Sequence, residues 1–161
     1  MIRDTRLSET GVLLELARGT EVFKPMEIDS LKDVLDEYHA RDDKWQHRAI
    51  TYEEDGRPVG FAYYAPIDMT DQSWLVYWIF VGKVTQARGI GTRLLQHTEM
   101  DITRAGGRLL LIDTSSLPSY EPTRRFYLKH GYEIAGVFRD FYADGDDQVE
   151  FVKRLRPRAA V

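Results

Sequence analysis

"VTQARGIGTRLLQHTEM", residues Val84 to Met100, places two glycines one residue apart at the start of a run with helical spacing. Gly89 and Gly91 have no side chains to obstruct a ligand, and the first turn of a helix presents backbone N–H groups without intrahelical partners. Arg88 and Arg93 add positive charge on either side of the glycines. The stretch is therefore typical of a loop that binds an anion at the mouth of a helix.

Two common phosphate-binding motifs do not match this stretch. A dinucleotide fingerprint requires a third glycine three residues after the second, and Leu94 stands at that position. A P-loop requires Gly-Lys-Ser/Thr, whereas this chain has Gly91, Thr92 and Arg93. The anion site is therefore predicted to be of another type.

Length and composition limit the classes of protein to which the chain can belong. Its 161 residues suit one domain, and 43% hydrophobic with 30% charged residues is the balance of a folded globular protein. The net charge of −4 gives no global attraction for nucleic acid, and the absence of cysteine rules out a thiolate metal site. We expect one cytoplasmic domain spanning 1–161, with no metal, no nucleic-acid partner and no membrane association.

The pattern along the chain predicts a mixed α/β (α+β) domain. Predicted strands are Ile2 to Arg6, His47 to Glu53, Pro58 to Tyr64, Ser73 to Gly82, Arg108 to Asp113, Glu133 to Phe141 and Gln148 to Arg154. Predicted helices are Glu9 to Arg18, Ser30 to Ala40, a third from the glycine pair to about Arg104, and Glu121 to His130.

The pyrophosphate loop of the GCN5-related N-acetyltransferase (GNAT) superfamily resembles the opening stretch. Its pattern Gln/Arg-x-x-Gly-x-Gly/Ala is met by Gln86, Gly89 and Gly91. The preceding "YWIFVG" resembles the fourth strand of these enzymes, and the later "RRFYLKHGYE" resembles their second signature. The resemblance implies the GNAT fold, with a mostly antiparallel sheet of about six to seven strands and about four helices.

The resemblance also implies acetyl-CoA as co-substrate, without a metal. Backbone at Phe80 and Val81 would pair with the pantetheine arm. Many members carry an asparagine where this chain has Tyr120, so Thr123 or Ser119 is expected to replace that contact. The pyrophosphate would meet the N–H groups of Gln86, Ala87, Arg88, Gly89, Ile90, Gly91 and Thr92.

Tyr127 matches the tyrosine that protonates the departing thiolate in many members of the superfamily. A phenol of ordinary pKa near 10 suits that role. The alternative interpretation is a core aromatic residue beside Phe126, which would be favoured without the upstream loop. The fourth strand has no acidic residue to act as base. Asp113, at the predicted end of the next strand, is our candidate, because the branch of the superfamily that acetylates ribosomal-protein N-termini is similar in having its acidic base at this strand position. The alternative is a polar residue that caps a turn.

The leading functional hypothesis is an acetyl-CoA-dependent N-acetyltransferase that acts on a primary amine of a small molecule, amino acid or peptide. The alternatives are a non-catalytic acyl-CoA-binding module, suggested by the missing acid, and a toxin that acetylates aminoacyl-tRNA. The acidic net charge argues against the toxin. A homodimer is a further expectation, since dimers are common in the superfamily.

Overall fold

The computed structural model of the protein describes residues 1–41 and 46–160. Four α-helices are present in these ranges: α1 Thr10–Gly19, α2 Pro25–Ala40, α3 Ile90–Arg104 and α4 Glu121–Lys129. Short 3-10 helices lie at Leu7–Glu9, Lys83–Thr85 and Pro118–Tyr120. Within the described residues, none of the helices has the length and hydrophobicity needed to span a membrane.

The strands form one sheet with the order β1-β2-β3-β4-β5-β7-β6. Strands β4 and β5 are parallel, whereas the pairs β1–β2, β2–β3, β5–β7 and β6–β7 are antiparallel. This confirms the predicted mixed, mostly antiparallel sheet with four helices. The strands are β1 Ile2–Asp4, β2 Arg48–Glu54, β3 Arg57–Pro66, β4 Ser73–Val81, β5 Leu109–Ser115, β6 Glu133–Ala143 and β7 Asp146–Arg154.

Helix α2 begins earlier than its apolar spacing predicted. It starts at Pro25, not at Ser30. Proline suits the first helical position because its φ is already helical and its missing N–H is not needed there. The Lys24 N–H donates to Glu27 Oε2 at 2.6 Å, which caps this turn. The polar first turn therefore needed no apolar residue to form.

Strand β5 does not end at Asp113, as the sequence analysis expected. Thr114 and Ser115 continue the antiparallel pairing with Val149 and Gln148 of β7. Polar side chains marked the end of the apolar run but not the end of the backbone ladder. Asp113 therefore lies inside a strand and does not cap a turn.

The contacts divide the chain into two compact units, and the first comprises Met1–Pro66 and Tyr77–Met100. Its hydrophobic core joins α1 and α2 to one face of the strands. The buried members are Leu13, Leu14, Ala17, Ile28, Leu31, Leu35, Ala49, Phe61, Tyr63 and Phe80.

Gly60 in β3 sets how closely α3 packs within the first unit. A Cβ at this position would lie 2.9 Å from Leu94 Cδ1 and 3.2 Å from Ile90 Cγ2. Both side chains are almost fully buried, at 0% and 1% exposure. The missing side chain thus allows the first two turns of α3 to approach the strand, which fixes the loop that precedes the helix.

The second unit comprises Ile67–Val76 and Asp101–Val161. Its core is aromatic: the ring of Tyr127 lies 5.3 Å from that of Phe151 and 5.9 Å from that of Tyr132. Trp74 is fully buried in the same unit. At Gly107 a Cβ would meet Ile102 Cγ2 at 2.2 Å, so the chain leaves α3 through a position that only glycine fits.

Candidate functional site

The loop before α3 contains two residues in the left-handed backbone region. Ala87 has φ +67° and Gly89 has φ +75°. Turns of this kind direct backbone N–H groups toward a common concave face, which suits an anion. Gly89 is exposed, and a Cβ added there would meet no atom of the described part of the chain within 4 Å. The open space and the N-terminus of α3 at Ile90 fit a phosphate group.

Arg88 in the loop and Arg93 in the first turn of α3 both have partners in β2. Arg88 Nη1 lies 2.9 Å from Glu54 Oε2, and Arg93 Nη1 donates to the Tyr52 hydroxyl at 2.6 Å. Tyr52 and Glu54 are two residues apart, so both side chains leave the same face of the strand. Tyr52 and Arg93 are 41 residues apart in the chain, so no local sequence pattern predicts this contact.

The end of β4 is held by the loop itself. Gln86 Nε2 donates to the Val81 carbonyl at 3.2 Å, and the Thr85 N–H donates to the Gly82 carbonyl at 2.9 Å. The Phe80 ring packs 5.4 Å from that of Phe61 in the core. Only the backbone of Phe80 is therefore available for the predicted contact with a pantetheine arm.

Asp113 is a carboxyl group without a full set of partners. It lies directly opposite Glu150 in the β5–β7 pairing. Its Oδ1 is buried and accepts no hydrogen bond from the residues that the structure describes. Burial, and then the like charge of Glu150, raises the pKa of Asp113 from 3.8 to about 6. A group of this kind can exchange a proton near neutral pH.

Tyr127 is buried, with 3% of its surface exposed. Burial raises the pKa of its phenol, so the hydroxyl stays protonated at neutral pH. Thr123 is half-buried one turn earlier in α4, and the i, i+4 spacing directs both side chains to the same face of the helix. The ring of Tyr127 packs as expected for a core aromatic residue. Its hydroxyl group is protonated and can donate a proton.

The connection from β5 to α4 is held by side chains that the sequence analysis did not single out. Arg124 Nη1 donates to the carbonyls of Ser115 and Leu117, at 2.7 and 2.9 Å. The Ser115 hydroxyl is also hydrogen-bonded to Asp146. These hydrogen bonds hold the backbone of the segment between Asp113 and α4 in one conformation.

The predicted site residues fall into two groups, one in each unit. Phe80, Val81 and Gln86 to Thr92 belong to the first unit, where the backbone brings them together at the end of β4 and the start of α3. Asp113, Thr123 and Tyr127 belong to the second unit, on β5 and α4.

Comparison with curated proteins finds a relative in Bacillus subtilis (strain 168). The chain is 29% identical over 68 residues to the uncharacterized N-acetyltransferase YsnE, a match that covers 42% of this chain. The match spans 44% of that protein's length, which is less than half.

Comparison with solved structures finds similar folds along nearly the whole chain. An acetyltransferase assigned to the GNAT family from Desulfovibrio desulfuricans superposes with a TM-score of 0.92 at 29% identity, covering 97% of this chain and 99% of that one. An aminoglycoside 6'-N-acetyltransferase complexed with coenzyme A has a TM-score of 0.79 at 21% identity, covering 99% of each chain. The second likeness concerns the fold alone.

The family assignment follows from the sequence match that covers the loop. Residues 45–134, more than half of the chain, match the family described as the acetyltransferase (GNAT) domain. This range contains the glycine loop and the α4 signature on which the resemblance was based. The chain therefore belongs to the GNAT acetyltransferase family.

Proposed function

We propose that this protein transfers an acetyl group from acetyl-CoA to a primary amine of a small molecule, amino acid or peptide. The transfer is direct, within a ternary complex of protein, acetyl-CoA and acceptor. The observation that carries the proposal is the loop at Gly89, with its left-handed backbone, its open space and its position at the start of α3. A single domain over 1–161 and a homodimer stay predictions.

The loop residues of the first unit would hold the cofactor. The N–H groups of the segment from Gln86 to Thr92 would bind the pyrophosphate, because backbone donors at a helix N-terminus favour an anion. The backbone at Phe80 and Val81 would pair with the pantetheine arm, and Thr123 would contribute a hydroxyl. These assignments rest on the family pattern and on the local geometry described above.

The two ionisable groups of the second unit suit the two proton movements of the reaction. Bound acetyl-CoA supplies an acetyl group activated as a thioester. The acceptor nitrogen forms the new C–N bond as the C–S bond breaks. Asp113 takes a proton from the nitrogen, and Tyr127 gives its phenolic proton to the departing sulfur. The raised pKa of Asp113, about 6, leaves it ionised and still basic above neutral pH.

The first experiment is a turnover assay that follows thiol release from acetyl-CoA. Wild-type protein is incubated with pools of amines, amino acids, polyamines, aminoglycosides and short peptides. We expect acceptor-dependent release with at least one pool. No release with any pool, together with no calorimetric binding of acetyl-CoA, would contradict the proposal.

The loop assignment is tested by Gly89→Glu. The added side chain would strain the left-handed backbone, and its carboxylate would repel phosphate. The loss of even one charge-assisted hydrogen bond to the phosphate costs about 1.5–3 kcal/mol. We expect acetyl-CoA affinity to fall roughly 100-fold or more in calorimetry. The control is Gly106→Glu, which has φ +89° and equally open space at the end of α3. Loss of affinity in both variants would point to general strain and not to a phosphate site.

Tyr127→Phe separates the enzyme from a non-catalytic acyl-CoA-binding module. The substitution removes only the hydroxyl and keeps the packing against Phe151. We expect kcat to fall about 100-fold or more while acetyl-CoA affinity stays unchanged. Tyr132→Phe is the matched control, because Tyr132 is an equally buried neighbour in the same aromatic cluster. Equal kcat values in wild type and Tyr127→Phe would remove Tyr127 from the mechanism.

A further inference from the structure

Strand β2 contributes two side chains to the phosphate loop, and the two differ in charge. Tyr52 accepts a hydrogen bond from Arg93 at 2.6 Å, whereas Glu54 forms an ion pair with Arg88 at 2.9 Å. A neutral phenol leaves the guanidinium with its full positive charge. A carboxylate offsets part of its field. The same strand therefore gives one arginine a neutral acceptor and the other an anionic partner.

Burial separates the two contacts further. Tyr52 is 6% exposed and stands opposite Gly60 in the β2–β3 pairing. It is a fixed acceptor that orients Arg93. The Arg88 side chain is 58% exposed and that of Glu54 27% exposed, so this ion pair lies at the surface and is open to exchange. Surface ion pairs of this kind contribute only about 0–1 kcal/mol and give way readily to a better partner.

Glu54 is an anion beside a loop whose geometry suits an anion. Arg88 immediately precedes Gly89, the position where the backbone leaves open space. A phosphate bound to the loop would approach the guanidinium that Glu54 already holds, and the two negative groups would repel each other. A dianionic or polyanionic ligand outweighs one carboxylate, whereas a weak monoanion does not.

We propose that Glu54 is an intramolecular competitor that occupies Arg88 until a CoA phosphate displaces it, while Tyr52 orients the guanidinium of Arg93. This inference rests on the proposed function, because it assigns a specificity role within the same cofactor loop. The inference predicts that the loop selects ligands by charge. It would bind ligands with several phosphate charges in preference to small monoanions.

The test measures CoA binding by calorimetry in wild type, Glu54→Gln and Asp55→Asn. Glu54→Gln keeps the shape and removes the charge, so we expect CoA to bind about two- to fivefold more tightly, the factor that a surface ion pair is worth. Asp55→Asn removes the same charge from the adjacent hairpin turn, and Asn tolerates its left-handed backbone at φ +49°. We expect Asp55→Asn to bind CoA like wild type.

A second readout is the dependence of affinity on salt. In Glu54→Gln one more arginine charge is available to phosphate, so log Kd should change more steeply with log salt concentration than in wild type. Tyr52→Phe should act in the opposite direction and weaken CoA binding, since Arg93 loses its acceptor. Thermal unfolding of each variant checks that the hairpin remains folded.

The outcomes separate the inference from the function on which it rests. Tighter binding and a steeper salt slope in Glu54→Gln alone support the inference. Wild-type binding of CoA with equal or weaker binding in Glu54→Gln overturns it and leaves the acetyltransferase proposal standing. Equal gains in Glu54→Gln and Asp55→Asn reduce the effect to net charge and also overturn it. No binding of CoA by any variant overturns both.

Discussion

Glu9 in the first unit and Asp113 in the second are both carboxyl groups withdrawn from water, and their pKa values shift in opposite directions. Burial opposes the ionisation of Glu9, but hydrogen bonds from Arg3 and from the Arg6 N–H outweigh it and hold the pKa below its usual value. Asp113 has no such donors among the described residues, and it faces Glu150. The pKa of Asp113 is raised to about 6.

The difference separates a structural carboxylate from a candidate for proton transfer. Glu9 Oε2 accepts from Arg3 Nη1 at 3.1 Å and from the Arg6 N–H at 2.9 Å, so its charge is fully used within the fold. Arg3 also donates to Glu53 at 2.8 Å and ties β1 to β2. Oδ1 of Asp113 has no hydrogen-bond partner within residues 1–41 and 46–160. Groups left in this state are common where a protein needs a proton acceptor near neutral pH.

The largest effect on stability should come from removing the charge of Glu9, the carboxylate whose hydrogen bonds are satisfied within the fold. Glu9→Gln leaves the partly buried Arg3 guanidinium with Glu53 as its remaining ionic partner, and we expect a loss of about 1.5–2 kcal/mol in the free energy of unfolding at pH 7. A lowered pKa contributes stability above the unfolded value near 4.3, and this contribution is lost as pH falls through the folded pKa. Urea unfolding should therefore show a smaller difference in the free energy of unfolding between wild type and Glu9→Gln at pH 4 than at pH 7.

Glu15→Gln is the matched control for that measurement. Glu15 also pairs with an arginine, Arg18, but its side chain is 74% exposed. We expect its free energy of unfolding to match that of wild type within error. Equal losses in the two variants would mean that burial does not distinguish the two ion pairs.

Asp113→Asn should have the opposite effect on stability. A raised pKa means that the folded state favours the protonated carboxyl group of Asp113. Ionising this group therefore destabilises the fold: the loss of stability is absent below about pH 4 and complete above the folded pKa of about 6. We expect the variant to be more stable than wild type by up to about 1 kcal/mol at pH 8, because solvent screens a carboxyl group that is only half-buried, with no gain at pH 3.

The same variant should lose activity while it gains stability. If Asp113 is the base, kcat falls about 100-fold and the acidic limb near pH 6 disappears from the pH profile, with acetyl-CoA affinity unchanged. Asp68→Asn, in an exposed loop, is the control. A destabilised Asp113→Asn with normal kcat would assign Asp113 to the structure and end its candidacy as base.

The smallest effect should come from the residue that faces Asp113. Glu150→Gln removes the like charge but leaves the burial, which is the larger cause of the shift. We expect the acidic limb of the kcat profile to move to lower pH by less than about one unit. Direct titration of Asp113 by carbon NMR should give the same displacement. An unchanged or raised pKa would show that Glu150 does not act on Asp113.

Local patterns in the sequence predicted the loop and its helix well. The glycine spacing, the start of α3 and the hairpin around Asp55 and Gly56 depend on backbone preferences within a few residues. The family followed from the same stretch. The early start of α2 at Pro25 was not predicted, because its first turn is polar and capped and so shows no apolar residues at helical spacing.

Contacts between distant segments were beyond the sequence analysis. Asp113 was expected to end β5, but its surroundings depend on β7 pairing directly with β5, which the chain order does not reveal. Glu54 reads as an ordinary charged residue before a turn, and only the fold brings it to Arg88. The candidate base was therefore predicted as a residue, while the groups that set its acidity were not.

Gly60 has a consequence for how related sequences can diverge. Because a side chain there would collide with Leu94 and crowd Ile90, these positions share one small volume. A larger residue in β3 is compatible with the loop only if the facing helix residues become smaller. Among relatives, the side-chain volumes at these positions should vary inversely. The spacing between strand and helix, and with it the loop before α3, would then be inherited as a property of these positions together and not of any one residue.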